Sequence, residues 1–208
     1  MKKLIQILFI PILIIGMSLV SCTKDSDVVG GSSDDPEYPR EVTDIVPLDF
    51  IHKMKANNMH IFKGENPPMI EGTYRISPVV LECSNVEADV AGCAFNDVEV
   101  TFSQQDNMHL AVDVSYKCGD VTVTCAEASV IGDEFNFTVF TKITMSVGNS
   151  PADYVCSISG EMVNGGISGL YIARFMHDDY GDPLDCLIEC GKGRVLYDFD
   201  GFSERVSD

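Results

Sequence analysis

The stretch FNFTVFTKITMSV, residues 135–147, decides the fold of this chain. Apolar side chains stand at nearly every second position from Phe135 to Val147, and mostly polar side chains stand between them. Successive residues of a β-strand point to opposite faces of the sheet, so this alternation predicts a long strand with one buried face.

The same two-residue period recurs on both sides of this stretch, between residues 72 and 199. Short turns rich in glycine, asparagine and aspartate, such as Gly119-Asp120 and residues 164–166, separate the alternating stretches. About eight strands in simple succession, with a polar outer face, predict a mainly β protein with an antiparallel sheet. We expect an up-and-down barrel, because closure leaves no exposed strand edge, and a β-sandwich is the alternative.

Residues 44–58, DIVPLDFIHKMKANN, predict one short helix in front of the sheet. Pro47, Phe50, Ile51 and Met54 stand at positions i, i+3, i+4 and i+7, which lie on one face of a helix. Pro47 suits the first turn, because the N–H that proline lacks has no partner within the helix at that position.

Residues 1–21 predict a secretory signal peptide. Lys2 and Lys3 give it a positive start, and an apolar run from Leu4 to Val20 follows. That run is shorter than the roughly 20 apolar residues of a membrane-crossing helix. Its end, Leu19-Val20-Ser21-Cys22, resembles the lipobox of bacterial lipoproteins.

The lipobox resemblance implies cleavage between Ser21 and Cys22 and acyl chains on Cys22. Two or three acyl chains hold a protein stably at a membrane, whereas one chain holds it only weakly. Residues 23–27, TKDSD, resemble the surface-export signals of lipoproteins from Bacteroidetes-type bacteria. These resemblances imply a lipid-anchored protein of the outer membrane, with exposure at the cell surface as a further expectation.

In the rest of the chain, composition and periodicity predict three segments. They are a flexible acidic tether over residues 22–43, one folded domain over residues 44–201 and a C-terminal tail over residues 202–208. The tether is rich in Ser, Gly, Asp and Pro, which cannot build a core. The whole chain of 208 residues has 14 basic and 32 acidic side chains, for a formal net charge of −18. Such a charge repels phosphate backbones, so nucleic acid is excluded as an expected partner.

A second resemblance concerns the folded domain. Gly72-Thr73-Tyr74 opens the first strand after the helix, as a Gly-x-Trp motif does in the lipocalin/calycin plan. This chain has Tyr74 in place of that tryptophan and contains no tryptophan at all. Residues 66–74, NPPMIEGTY, also resemble the start of the folded part in small Bacteroidetes-type lipoproteins. The resemblance covers residues 44–201 and implies a lipocalin-like binding barrel without a particular ligand.

Three sets of side chains are candidates for sites. Aromatic residues on the expected inner faces line a ligand cavity or simply fill the core: Tyr74, Tyr116, Phe137, Tyr171 and Phe175. Four carboxylates either hold Ca²⁺ or form a solvated acidic turn: Asp178, Asp179, Asp182 and Asp185. Lipidation of Cys22 leaves seven of the eight cysteines, so at least one is without an intramolecular disulfide partner. The candidate local disulfides are Cys83 with Cys93 and Cys186 with Cys190, and the alternative is that some of these cysteines are simply buried small apolar residues.

No combination of residues in the sequence points strongly to an enzyme. The chain has no Gly-x-Ser-x-Gly motif, and its four histidines are scattered. We therefore expect a non-enzymatic binding module without a cofactor, for a small apolar or amphipathic ligand. The alternatives are a structural or interaction lipoprotein with a filled core, whose partner is another envelope protein, and an envelope hydrolase.

Intact-mass spectrometry of the protein from native membranes tests the predicted anchor. We expect wild-type protein to have the mass of residues 22–208 plus acyl chains. Cys22→Ala should stay unlipidated and keep its signal segment, because the thiol that receives the lipid is gone. Cys83→Ala, the matched control, should be processed like the wild type. A wild-type mass without any acyl addition would contradict the lipoprotein interpretation.

Overall fold

A computed structural model describes residues 37–206, except residues 126, 148–149, 183–184 and 186. The signal segment, Ser21, Cys22, most of the expected tether and Cys186 lie outside the described residues. Neither helix in the described part has the length and apolar character that crossing a membrane requires.

The described part is mainly β and contains two helices and twelve strands. The helices are α1 (Arg40–Thr43) and α2 (Leu48–Ala56). The strands are β1 (Gly72–Ile76), β2 (Val79–Ser84), β3 (Ala94–Phe95), β4 (Val98–Asp106), β5 (Ala111–Cys118), β6 (Val121–Thr124), β7 (Glu127–Asp133), β8 (Asn136–Val147), β9 (Ser150–Val163), β10 (Gly166–Asp178), β11 (Gly193–Asp198) and β12 (Phe202–Val206).

All twelve strands belong to one sheet, and every pair of neighbouring strands is antiparallel. The order is β12-β1-β4-β5-β7-β8-β9-β10-β11-β2-β3, with β6 beside β5. β12 pairs with β1 and also with β10, so both of its edges are hydrogen-bonded. The predicted class, mainly β with an antiparallel sheet, is confirmed.

The strands are more numerous than the sequence pattern predicts, because a bend divides the first predicted strand into β1 and β2 and because β3 and β12 lie outside the predicted alternating stretches. Ser77-Pro78 separates β1 from β2, where proline has no N–H for a ladder. β12 and β11 lie one after the other along β10, with residues 199–201 between them. A hydrophobic period continues across such bends, so the sequence alone does not reveal them.

The two faces of the sheet carry two separate apolar clusters. One cluster, which we call the main core, contains Val139, Cys156 and Ile158. The other, which we call the helix core, contains Phe140 and Val155 together with residues of both helices. Neighbouring residues of β8 and β9 thus belong to opposite clusters, as the two-residue period requires.

The folded unit extends beyond the predicted boundaries at both ends. Tyr38 and Val42 are buried in the helix core, so α1 forms within the segment expected to be a tether. Residues 202–206, expected as a tail, form β12. A flexible tether does not bury side chains, whereas here Tyr38 and Val42 pack in the helix core and the Tyr38 ring centre lies 6.3 Å from that of Phe140. All residues of the main core and the helix core lie between Tyr38 and Leu196.

α2 packs on the sheet as its sequence predicts, through Phe50, Ile51 and Met54. Ile51→Ala should lower the free energy of unfolding by about 2–4 kcal/mol, because it removes a fully buried side chain and leaves a cavity. Urea unfolding measures this loss. Lys55→Ala, at an exposed position of the same helix, should change stability by less than about 0.5 kcal/mol. Equal effects of the two variants would contradict the packing of α2.

Candidate functional site

A cavity of about 450 Å³ opens into the main-core face of the sheet. Its apolar wall comes from strands on several sides: Phe95, Val98, Val121, Val123, Ile143, Met145, Ile172, Ile188 and Leu196. Its polar and sulfur groups are fewer: Asn96, Tyr116, Cys118, Cys156, Arg174 and Arg194. None of the described residues that line the cavity is a carboxylate or a histidine.

Three of these residues form one row across adjacent strands. Cys156 of β9 is the register partner of Arg174 on β10, and Arg174 is the partner of Arg194 on β11. Side chains directly opposite in an antiparallel sheet have Cβ atoms about 4.5–5.5 Å apart, and like charges in such a pair repel each other. The cavity wall therefore contains two neighbouring guanidinium groups.

Asp89 neutralises one of them. The Arg194 guanidinium donates from Nε to Asp89 Oδ2 at 2.6 Å and from Nη2 to Asp89 Oδ1 at 2.9 Å. Ser84 Oγ also donates to this carboxylate at 2.7 Å. The hydrogen bond from Arg194 is the main reason why the pKa of Asp89 lies below its ordinary value. Arg194 is thus fixed and compensated by the connection between β2 and β3.

Arg174 has a different environment. Its guanidinium carbon lies 4.5 Å from the centre of the Tyr154 ring, and its side chain is exposed. None of the ion pairs in the described part of the chain involves Arg174. The aromatic face orients the cation without cancelling its charge.

Two further groups at the cavity, Cys156 and Tyr116, are protonated at neutral pH. Burial raises the pKa of the Cys156 thiol to about 12. Burial likewise raises the pKa of Tyr116 well above its ordinary value, and its buried hydroxyl has no hydrogen-bond partner in the described residues. A thiol is nucleophilic only as the thiolate, so Cys156 is unreactive here.

The structure places the predicted cavity residues in three different environments. Tyr116 lines the cavity. Tyr74 and Phe137 are buried in the main core, away from the cavity wall. Tyr171 and Phe175 belong to the helix side of the sheet, so their predicted place on the cavity face is wrong.

A β-bulge explains this error. The pairing of β9 and β10 shifts register between Ser168 and Tyr171, and Gly169 adopts a φ of +59° there. One extra residue exchanges the faces of everything that follows. Ile172 and Arg174 therefore point to the cavity, and the sequence pattern missed Arg174. Gly169 inside an alternating stretch was the available signal for a bulge.

The acidic segment gathers only part of the predicted metal ligands. Asp178 and Asp179 form a group with Cys190 in which the ligand atoms lie within 4.8 Å of one another. Asp182 and Asp185 are outside that group, and Asp182 Oδ2 accepts the N–H of Leu187 at 2.7 Å. Ca²⁺ usually takes six to eight oxygen ligands. Calcium binding here stays a prediction.

The structure does not form the expected local disulfide in the β2–β3 region. Cys83 and Cys93 are both free thiols, and Cys83 Sγ donates to Asn57 Oδ1 at 3.7 Å instead. Cys190 is also free, and its expected partner Cys186 lies outside the described residues. The thiol of Cys83 thus points toward Asn57 at the end of α2.

Comparison of the chain with protein-family models, with curated proteins and with solved structures gave no match. The interpretation of the cavity therefore rests on its own chemistry.

Asp89→Asn tests how the Arg194 side of the cavity is held. We expect a loss of about 1.5–3 kcal/mol in the free energy of unfolding at neutral pH, because a charge-assisted pair of hydrogen bonds is broken. The folded protein holds the Asp89 pKa below its ordinary value, so this stability is present above the ordinary aspartate range and is lost as the pH falls through the folded pKa. The gap between variant and wild type should therefore close in acid.

Urea unfolding at neutral and acidic pH measures this gap. Glu99→Gln is the matched control, because Glu99 forms an exposed pair with Lys117 at 3.4 Å. An exposed pair of this kind contributes about 0–1 kcal/mol. A gap for Asp89→Asn that stays constant in acid would show that the carboxylate charge is not what holds Arg194.

Proposed function

We propose that this chain is a lipid-anchored envelope protein whose folded domain binds one small apolar or amphipathic molecule. The observation that carries the proposal is the cavity of about 450 Å³ in the main-core face. Ligand sites in proteins are typically clefts of about 300–1,000 Å³, with mainly apolar walls and few polar groups. The wall described above has this composition.

A lipocalin-like barrel is the architecture that we propose for the sheet. Two observations support it. β12 is paired along both edges, to β1 and to β10, which leaves it no free edge. The main core lies on one face of the sheet and the helices cover part of the other, as expected for a curved sheet with an inner and an outer face. The open cavity lies on the proposed inner face.

Binding without chemistry fits the groups at the cavity better than hydrolysis does. The lining offers Cys156 and Tyr116 in protonated form, and a hydrolase needs a nucleophile beside a base. A purely structural protein with a filled core, the other alternative, is disfavoured by the cavity itself. The lipobox resemblance at Cys22 supports the anchor, and its location in the outer membrane belongs to the same proposal.

A fluorescence titration with N-phenyl-1-naphthylamine, a neutral apolar probe, tests binding. The protein is the processed chain, residues 22–208, with Cys22→Ser so that no acyl chains compete. We expect Met145→Trp to weaken probe binding about ten-fold, or roughly 1.4 kcal/mol, because the larger indole side chain takes up cavity volume in which the probe would bury its own apolar surface.

Met108→Trp is the matched control, since Met108 is 87% exposed in the turn between β4 and β5. The same substitution there should leave the probe affinity within about two-fold of wild type. Thermal unfolding of both variants verifies that they are folded. Absence of probe binding by wild type, or equal affinities for the two variants, would overturn the proposed function.

A further inference from the structure

The cavity has an electrostatic character opposite to that of the whole chain. The chain carries a formal net charge of −18 and 32 acidic side chains. The described residues that line the cavity nevertheless include two arginines and no carboxylate. Water screens a charge less beside an apolar wall than on an open surface, so an unpaired arginine at this cavity favours an anion more than the acidic surface around it does.

Arg174 is the group that remains available to an anion. Its neighbour Arg194 is held by Asp89 through two hydrogen bonds, whereas Arg174 contacts only the face of Tyr154 among the interactions described for it. The charge of the second guanidinium, on the adjacent strand, is neutralised by Asp89, so Arg174 supplies the net positive charge of the wall. A planar guanidinium can bind a carboxylate through two parallel hydrogen bonds. A carboxylate therefore matches both the charge and the donor geometry of Arg174.

The wall around Arg174 selects the rest of the ligand. Ile172, two residues earlier on the same face of β10, and Ile143 and Met145 of β8 are apolar. A small hydrophilic anion would leave these surfaces exposed to water, whereas an aliphatic chain would cover them. One uncompensated cation beside an apolar wall favours a ligand that has both an anionic group and an aliphatic chain.

We propose that the cavity binds an aliphatic carboxylic acid as its anion, with the carboxylate on Arg174 and the chain against the wall formed by β8 and β10. This inference rests on the proposed function, since it names the class of ligand for the same cavity. Arg174 acts here as the residue that distinguishes an acid from the corresponding neutral alcohol.

The experiment compares octanoate with 1-octanol, two probes with the same chain and different head groups. Each displaces N-phenyl-1-naphthylamine from residues 22–208 carrying Cys22→Ser. We expect wild type to bind octanoate more tightly than octanol. Arg174→Gln should weaken octanoate about ten-fold or more and leave octanol within about two-fold, because only the ion pair is lost. Added salt should weaken octanoate in wild type and not in Arg174→Gln.

Two further variants make the result specific. Arg75→Gln removes the same charge on β1, outside the cavity wall, and should change neither affinity. Arg174→Lys keeps the charge without the planar fork and should restore part of the octanoate affinity. Unfolding midpoints verify that all variants are folded.

The outcomes separate this inference from the proposed function. If octanoate and octanol bind equally, or if Arg174→Gln leaves octanoate unchanged, the inference is overturned while probe binding still supports a ligand cavity. The inference is also overturned if the naphthylamine probe binds and octanoate does not. If the naphthylamine probe itself fails to bind wild type, the proposed function fails first.

Discussion

Strand β10 hydrogen-bonds to β9 along one edge and to β12 and then β11 along the other. Both β12 and β11 approach β10 closely, and this close approach depends on two glycines. A side chain at Gly166 would collide with the Ser203 carbonyl of β12, and one at Gly193 would collide with Phe175 of β10. Two positions without a Cβ thus allow β12 and β11 to lie close against β10, which supplies Ile172 and Arg174 to the cavity wall.

The bulge in β10 determines which side chains that wall contains. From Gly166 to Ser168, even-numbered and odd-numbered residues of β10 point to opposite faces of the sheet. From Tyr171 onward the two sets have exchanged faces. Tyr171 and Phe175 consequently pack toward the helices, and Ile172 and Arg174 face the cavity. A single extra residue therefore places a cation in an apolar wall and sends two aromatic rings to the other face.

The helix core and the cavity use opposite faces of the same strands. Phe140 and Val155 anchor the helices, while their neighbours Val139 and Cys156 belong to the main core. The helices pack on one face of β8, β9 and β10, and the opposite face carries both the main core and the cavity. The domain thus gains stability from burial on both faces and keeps open volume beside the main core, where additional packed side chains would have been more stabilising.

The amino-acid sequence by itself determined the strand class, the antiparallel pairing and the apolar face of α2, because these follow from local periods of two and 3.6 residues. It also determined the charge of the chain and the lipobox-like segment, which need no folded context. The tertiary structure alone decided the twelve-strand order, the burial of Tyr38 and Val42 within the segment expected to be a tether, and the position of Arg174. The physical reason is that bends, bulges and strand meetings depend on contacts between residues far apart in the chain. The Arg174–Arg194 pair, separated by 19 intervening residues, exists only once β10 and β11 are hydrogen-bonded.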